Sequence, residues 1–260
     1  MRKFEVLKTY AELAWAGYKE FKTKDATGAQ IGAFDKRFET VKDSPANSSS
    51  GFQATLFKDK STGEYILSVR GTEANIFNDP LEAFKDTIVA DGNLALNDMP
   101  SSQTRDMMNF INELVYGEKN GDEVITPPKI SFNDHITIVG HSLGGTLAQI
   151  ASKMYPSLFD NCYTFNSPSG NNLNYHKIYK DSDGKYYWLG NEQINFKHYV
   201  EDKIGEAFHN YQNTSMTTSV TDVRAKDVLS MIANLWWKER FGERIEVSGT
   251  NSNDSIWRVA

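Results

Sequence analysis

Cysteine, excess basic charge and long apolar runs are all scarce in this sequence of 260 residues. The single cysteine, Cys162, excludes an internal disulfide and is expected to be a small buried core residue. Lys and Arg number 28 against 34 Asp and Glu, so the net charge of −6 provides no basic field for nucleic acid. No apolar run approaches the ~20 residues that a membrane-spanning helix needs. The composition is that of a globular protein, and we expect one domain over 1–260.

The N-terminal segment carries charges where a secretion signal would be apolar. Glu5, Lys8 and Glu12 interrupt any apolar stretch there, so the sequence shows no Sec-type signal peptide. Apolar residues instead recur at helical spacing, which predicts a helix. The location stays open between the cytoplasm and export by a route that needs no N-terminal signal.

Strand-like and helix-like runs alternate along the chain. A hairpin is predicted over 52–71, followed by an amphipathic helix from Ser101. Further strands are predicted at 135–140, 161–166 and 194–200, and further helices at 143–155 and from about Thr221 to Trp237. This alternation predicts an α/β fold with a mostly parallel sheet, helices on both faces and an antiparallel hairpin at its front edge.

The sequence Gly140-His141-Ser142-Leu143-Gly144 is a G-x-S-x-G motif between a predicted strand and a predicted helix. In a nucleophile elbow this sharp turn strains the serine backbone and projects its hydroxyl above the sheet. The alternative is a turn with no chemical role, but both flanking elements favour a catalytic serine at Ser142. His141 occupies the variable position and is not expected to be the base.

Three motifs in order carry a resemblance to a known family. They are SVRGT at 68–72, GHSLGG at 140–145 and TFNSPSG at 164–170. Over about residues 4–205 the chain resembles the class 3 lipases, a group of α/β hydrolases that includes fungal-type triacylglycerol lipases and bacterial phospholipase A1-like enzymes. The resemblance implies an α/β-hydrolase fold with a lid helix and a short cap insertion at about 171–192.

Acyl transfer passes through a tetrahedral oxyanion that needs fixed hydrogen-bond donors. One donor is expected to be the backbone N–H of Leu143, which follows the nucleophile at the start of its helix. The resemblance implies that Thr72 supplies the second, through its N–H and its hydroxyl. The alternative is that Gly71 and Thr72 form only a strand-ending turn.

The segment at about 73–91 follows the oxyanion strand. Its apolar residues Phe77, Leu81, Phe84 and Ile88 fall on one face of a helix. In the related lipases the lid occupies this place, so the resemblance implies a transient contact with a lipid surface. The alternative is a core helix whose apolar face is permanently buried.

A serine nucleophile needs a histidine base and a carboxylate that orients it. In α/β hydrolases the chain order is Ser, acid, His. Asp202 matches the acid of the family, with Glu201 as a fallback, and His209 is the histidine that follows it. The separation of seven residues is shorter than is usual in the family. The base could instead lie beyond Ala260 in a longer protein or be His176, or the site could be inactive.

The carboxylates between Asp181 and Glu192 partly follow a calcium-loop pattern. Tyr186 stands where that loop needs a glycine, so a hairpin is favoured. The sequence has no phosphate loop, dinucleotide fingerprint or zinc set, and we expect neither a cofactor nor a metal.

These features together predict a carboxylic-ester hydrolase with a lipid or other ester as its substrate. The mechanism would use an acyl-enzyme on Ser142, with Asp202 and His209 completing the triad. Two alternatives remain open. One is a phospholipase A1, which shares all of this chemistry, and the other is a catalytically inactive pseudo-hydrolase that serves as a binding module.

Overall fold

The computed structural model describes residues 3–18, 26–46, 48–71, 99–120, 123–171, 173, 178–180, 182–183, 186–188, 201–213, 217–225 and 242–247. Its helices are α1 (Lys3–Ala16), α2 (Gly28–Arg37), α3 (Ser101–Tyr116), α4 (Leu143–Met154) and α5 (Glu201–Asn213). Its strands are β1 (Phe38–Asp43), β2 (Gln53–Asp59), β3 (Tyr65–Arg70), β4 (Glu118–Asn120), β5 (Glu123–Thr126), β6 (Ile136–His141), β7 (Phe159–Phe165), β8 (Ile178–Lys180), β9 (Tyr186–Trp188), β10 (Ser219–Ala225) and β11 (Glu243–Val247). The predicted lid at 73–91, Thr72 and the predicted strand at 194–200 lie outside the described residues.

Within the described residues, seven strands form the central sheet in the order β1-β2-β3-β6-β7-β10-β11. The first three pair antiparallel, and from β3 onward all neighbours are parallel. The predicted α/β fold is therefore confirmed, with its antiparallel hairpin at the front edge. Because the strands after the hairpin are parallel, β3, β6, β7 and β10 all end at the same edge of the sheet.

Helices cover both faces of the sheet. On one face, α3, α4 and α5 pack against the sheet. The core between them includes Met107, Ile111, Leu147, Ile150, Ile204 and Phe208. The other face buries α1 and α2, with Leu13, Ala14, Phe34, Phe57 and Phe165 in a second core. Neighbouring residues of β6 serve opposite cores, since Ile138 lies in the first and Val139 in the second.

Cys162 lies in the first core and is fully buried, as predicted. Burial raises the pKa of its thiol to about 12 because the apolar surroundings disfavour the thiolate. The side chain therefore packs as a small apolar group and is not a nucleophile.

The helix predicted from about Thr221 is wrong over the residues that the structure describes. Residues 219–225 form β10, which pairs in parallel with both β7 and β11. Val220 packs into the first core and Val223 into the second, which only the two-residue period of a strand allows. The rest of the predicted helix, 226–237, lies outside the described residues.

None of the described helices is both long enough and apolar enough to cross a bilayer.

Candidate active site

Ser142 sits at the turn between β6 and α4 in a backbone conformation that serine rarely adopts. Its φ is 53° and its ψ −131°. A non-glycine residue held there is strained by about 1–3 kcal/mol, so the surroundings must enforce the turn. The Ser142 N–H donates to the Phe165 carbonyl at 3.0 Å, and the Ser142 carbonyl accepts from the Gly145 N–H at 2.9 Å. The predicted strand, strained serine and helix are all present.

Glycines around the turn make this geometry possible. A Cβ on Gly140 would lie 2.3 Å from the Gly144 carbonyl oxygen, and one on Gly144 would lie 2.2 Å from the Val69 carbonyl oxygen. A Cβ on Gly145 would lie 2.5 Å from the Cβ of Ser167. The start of α4 therefore packs directly on the ends of its neighbouring strands, with no room for a side chain at these three positions.

The predicted oxyanion donors belong to this same junction. Leu143 is the first residue of α4, so its N–H is among those that a helix leaves without an intrahelical acceptor. Thr72 is not described, but Gly71 before it is. A Cβ on Gly71 would lie 3.1 Å from the His141 carbonyl oxygen and 3.4 Å from the Gly144 nitrogen. The chain that leads into Thr72 thus runs against the elbow.

His141 is buried beside Ser142. Its Nδ1 lies 3.1 Å from the hydroxyl of Tyr18, which also accepts a hydrogen bond from the Gly71 N–H at 3.3 Å. Burial lowers the pKa of His141 to about 4, because the imidazolium would lose its hydration. His141 is therefore neutral at pH 7 and is engaged within the fold.

The loop after β7 borders the elbow on its other side, and α4 holds it. Gln149 donates from Nε2 to the Pro168 carbonyl at 3.1 Å, and its Oε1 accepts from the Gly170 N–H at 3.0 Å. From α5, the Tyr211 hydroxyl donates to the Gly170 carbonyl at 2.7 Å. The third motif of the resemblance is thus a fixed wall of the site.

Both remaining predicted triad residues lie on α5. Asp202 is in its first turn, and His209 comes two turns later, which sets their Cα atoms about 10 Å apart along the axis. Ile204 and Phe208 of α5 are buried, whereas His209 is exposed and its Nδ1 lies 3.3 Å from Nδ2 of Asn213. Ser142 and Leu143 are adjacent at the elbow, whereas His209 lies on the exposed side of α5 and contacts Asn213.

Sequence reasoning missed Asp222, a buried carboxylate on β10. Its Oδ1 accepts from the Thr164 hydroxyl at 2.9 Å, and its Oδ2 pairs with Nε of Arg224 at 2.5 Å. Arg224 also donates from Nη2 to the Ser167 carbonyl. The opposite charges two residues apart in a β-branched run were the available signal. Both carboxylate oxygens are occupied, so Asp222 braces the sheet and the loop after β7.

The predicted hairpin in the calcium-like segment is confirmed, because β8 and β9 pair antiparallel with Tyr179 opposite Tyr187. Among the side chains that the structure describes, no group of three or more His, Cys, Asp and Glu is placed to hold a metal ion.

Comparisons with known proteins give a family match in one segment and several similar solved structures. The family model for class 3 lipases matches residues 126–193. No curated protein matches the sequence. Among solved structures, the Lip2 lipase of Yarrowia lipolytica is 15% identical with a TM-score of 0.47, over 95% of this chain and 79% of that one. The Rhizomucor miehei lipase in its propeptide complex is 12% identical with a TM-score of 0.47, over 95% and 68%.

The matched segment contains the strand, the strained serine and the helix described above. The sheet order, with the elbow after a central parallel strand, is that of an α/β hydrolase. Over residues 126–193 the chain is therefore similar to the class 3 lipases.

Proposed function

We propose that this protein is a serine carboxylic-ester hydrolase that acts on lipid esters through an acyl-enzyme on Ser142. The observation that carries the proposal is the backbone of Ser142, strained at φ 53° between a central strand and the first turn of a helix. The class 3 lipase match over residues 126–193 supports ester hydrolysis as the reaction.

In the first step, Ser142 Oγ attacks the ester carbonyl carbon while its proton passes to a general base. The carbonyl oxygen takes the negative charge. The Leu143 N–H stabilises it at the positive end of α4, and Thr72 is the proposed second donor. The alcohol leaves with the proton, and a water then releases the acid by the same steps in reverse order.

Proton transfer needs a histidine within hydrogen-bond reach of Ser142 Oγ. His209 with Asp202 remains the proposed pair because it follows the chain order of α/β hydrolases. The exposed position of His209 on α5 makes this the assignment in most need of a direct test. His176 is the second candidate and lies outside the described residues.

The substrate proposed is an ester whose acyl chain is long enough to require a lipid surface. The segment at 73–91 would contact that surface as a lid. Triacylglycerol and phospholipid share the acyl-enzyme chemistry, so only substrate comparison separates a lipase from a phospholipase A1.

The test is hydrolysis of p-nitrophenyl esters from acetate to palmitate, and of emulsified triacylglycerol and phospholipid vesicles. We expect Ser142→Ala to lower kcat by about 10⁴-fold or more, because no other group supplies the nucleophile. Ser152→Ala is the matched control, since this serine lies near the far end of α4 and its hydroxyl donates to the Ala148 carbonyl. It should retain activity.

His209→Ala is measured beside His135→Ala, which removes an exposed histidine paired with Asp160 at 2.8 Å. A selective loss in His209→Ala supports His209 as the base. An unchanged rate moves the assignment to His176→Ala. A wild type that neither hydrolyses any of these esters nor reacts with a fluorophosphonate would contradict the proposed function and favour the pseudo-hydrolase.

A further inference from the structure

Tyr18 lies just beyond the end of α1, and its side chain reaches the active-site edge of the sheet. The side chain is 6% exposed. Its hydroxyl lies 3.1 Å from His141 Nδ1 and 3.3 Å from the Gly71 nitrogen. One buried oxygen therefore touches two segments of the chain that are about 70 residues apart in sequence.

The hydrogen bond from Gly71 has a fixed direction. The Gly71 N–H can only donate, so it uses a lone pair of the tyrosine oxygen. The hydroxyl keeps its proton and a second lone pair, so it can bond to Nδ1 of the neutral His141 in either tautomer of the imidazole.

The two residues that Tyr18 joins are the immediate neighbours of the proposed catalytic groups. His141 precedes the nucleophile Ser142, and Gly71 precedes the proposed oxyanion donor Thr72. The distance between nucleophile and donor decides how well the oxyanion is held, and an error of 1 Å can lower the rate about 100-fold.

Tyr18 is itself held in place by the packing of α1 on β3. Ser68 donates from its hydroxyl to the Leu13 carbonyl at 2.9 Å, and a Cβ on Gly17 would lie 2.6 Å from that same Ser68 oxygen. The guanidinium of Arg70 lies 5.9 Å from the centre of the Tyr18 ring. The hydroxyl is therefore presented from a rigid support.

We propose that Tyr18 is a positioning residue for ester hydrolysis, whose hydroxyl sets the spacing between the nucleophile elbow and the oxyanion strand by bridging His141 and Gly71. This inference rests on the proposed function. Tyr18 does not touch the substrate; it acts through the two segments it joins.

The test is Tyr18→Phe, which keeps the buried ring and removes only the bridging oxygen. With p-nitrophenyl butyrate we expect kcat to fall about tenfold with KM nearly unchanged, because the loss falls on the transition state. Hexylboronic acid, which forms a tetrahedral adduct on the serine, should bind about tenfold more weakly. Rates are normalised to active sites titrated with a fluorophosphonate, so that a change in the folded fraction does not contribute.

Tyr10→Phe is the matched control. Tyr10 lies on α1, and its hydroxyl donates to Glu64 at 3.0 Å, away from the elbow. It should change neither kcat nor the affinity for hexylboronic acid. His141→Gln, which keeps an amide acceptor, should retain more activity than His141→Leu, which keeps none.

Wild-type kcat and boronate affinity in Tyr18→Phe would overturn the inference while leaving the proposed function intact. A lower kcat with unchanged boronate affinity would also overturn it, since the oxyanion would then be held as before. A wild type inactive on all esters and unlabelled by fluorophosphonate would overturn the proposed function, and the inference with it.

Discussion

Three glycines permit the strained backbone conformation of Ser142. Gly140, Gly144 and Gly145 each stand where a Cβ would collide with backbone or with Ser167. The motif in the sequence therefore encodes a steric requirement of the turn as well as the position of the serine. This is why the elbow could be predicted from a few consecutive residues.

Gly144→Ala tests this requirement. Its new methyl would lie 2.2 Å from the Val69 carbonyl oxygen and 2.7 Å from the Gly71 nitrogen, both of which are backbone atoms. We expect the free energy of unfolding to fall by about 1–3 kcal/mol, because the end of β3 must move. Activity should fall further, since that movement displaces Gly71 and the chain that enters Thr72. Urea unfolding and esterase rates measure the two effects.

Gly32→Ala is the control for helical glycine. Gly32 lies inside α2, is exposed, and a Cβ there would meet nothing within 4 Å. This variant should raise the free energy of unfolding by about 0.5–1 kcal/mol, through a more restricted unfolded chain. Equal effects of the two variants would show that steric contact at Gly144 is unimportant.

At the scale of single elements, β10 is a strand where the sequence pattern predicts a helix. The apolar spacing from about Thr221 to Trp237, with no turn signal at its start, predicts a helix. In the structure the segment is a strand between β7 and β11, which places Asp222 and Arg224 on the same face. The ion pair depends on that pairing, because it is buried between the sheet and the loop after β7.

Asp222→Leu should lower the free energy of unfolding by about 3–5 kcal/mol. The change removes the carboxylate that pairs with Nε of Arg224 and leaves a guanidinium with only 1% of its side chain exposed. Adding Arg224→Met should restore most of the loss, because the second change removes the buried positive charge. Chemical unfolding of the single and double variants checks both expectations.

The neighbouring strand supplies a matched control. Arg244 and Glu246 of β11 are also two residues apart and pair at 2.9 Å, but 40% and 44% of their side chains are exposed. Arg244→Met should change the free energy of unfolding by less than about 1 kcal/mol. A similar cost in both strands would argue that burial does not set the strength of the pair.

At the scale of the whole molecule, β6 contributes residues to both cores and ends at the buried His141. The pKa of His141 is lowered from 6.5 to about 4 in the folded state. Between these values the unfolded chain binds a proton that the folded chain does not, so the free energy of unfolding falls as the pH falls. We expect a loss of about 2 kcal/mol between pH 7 and pH 5 from this residue.

Urea unfolding at pH 7 and pH 5 measures this loss. His141→Gln should flatten the difference, because glutamine does not titrate. His135→Gln is the control, since it makes the same substitution at an exposed histidine. An unchanged slope in His141→Gln would show that other groups cause the acid sensitivity.

The sequence by itself determined what depends on neighbouring residues: the elbow at Ser142, the helix that begins at Leu143, the hairpin at the front edge and the buried Cys162. Each follows from local sterics or from the spacing of apolar residues. Only the tertiary structure decided what depends on pairing between distant segments. It made β10 a strand, joined Asp222 to Arg224, brought Tyr18 to His141 and set His209 on the exposed side of α5. Such contacts have no local period, because the residues that make them meet only when the sheet has formed.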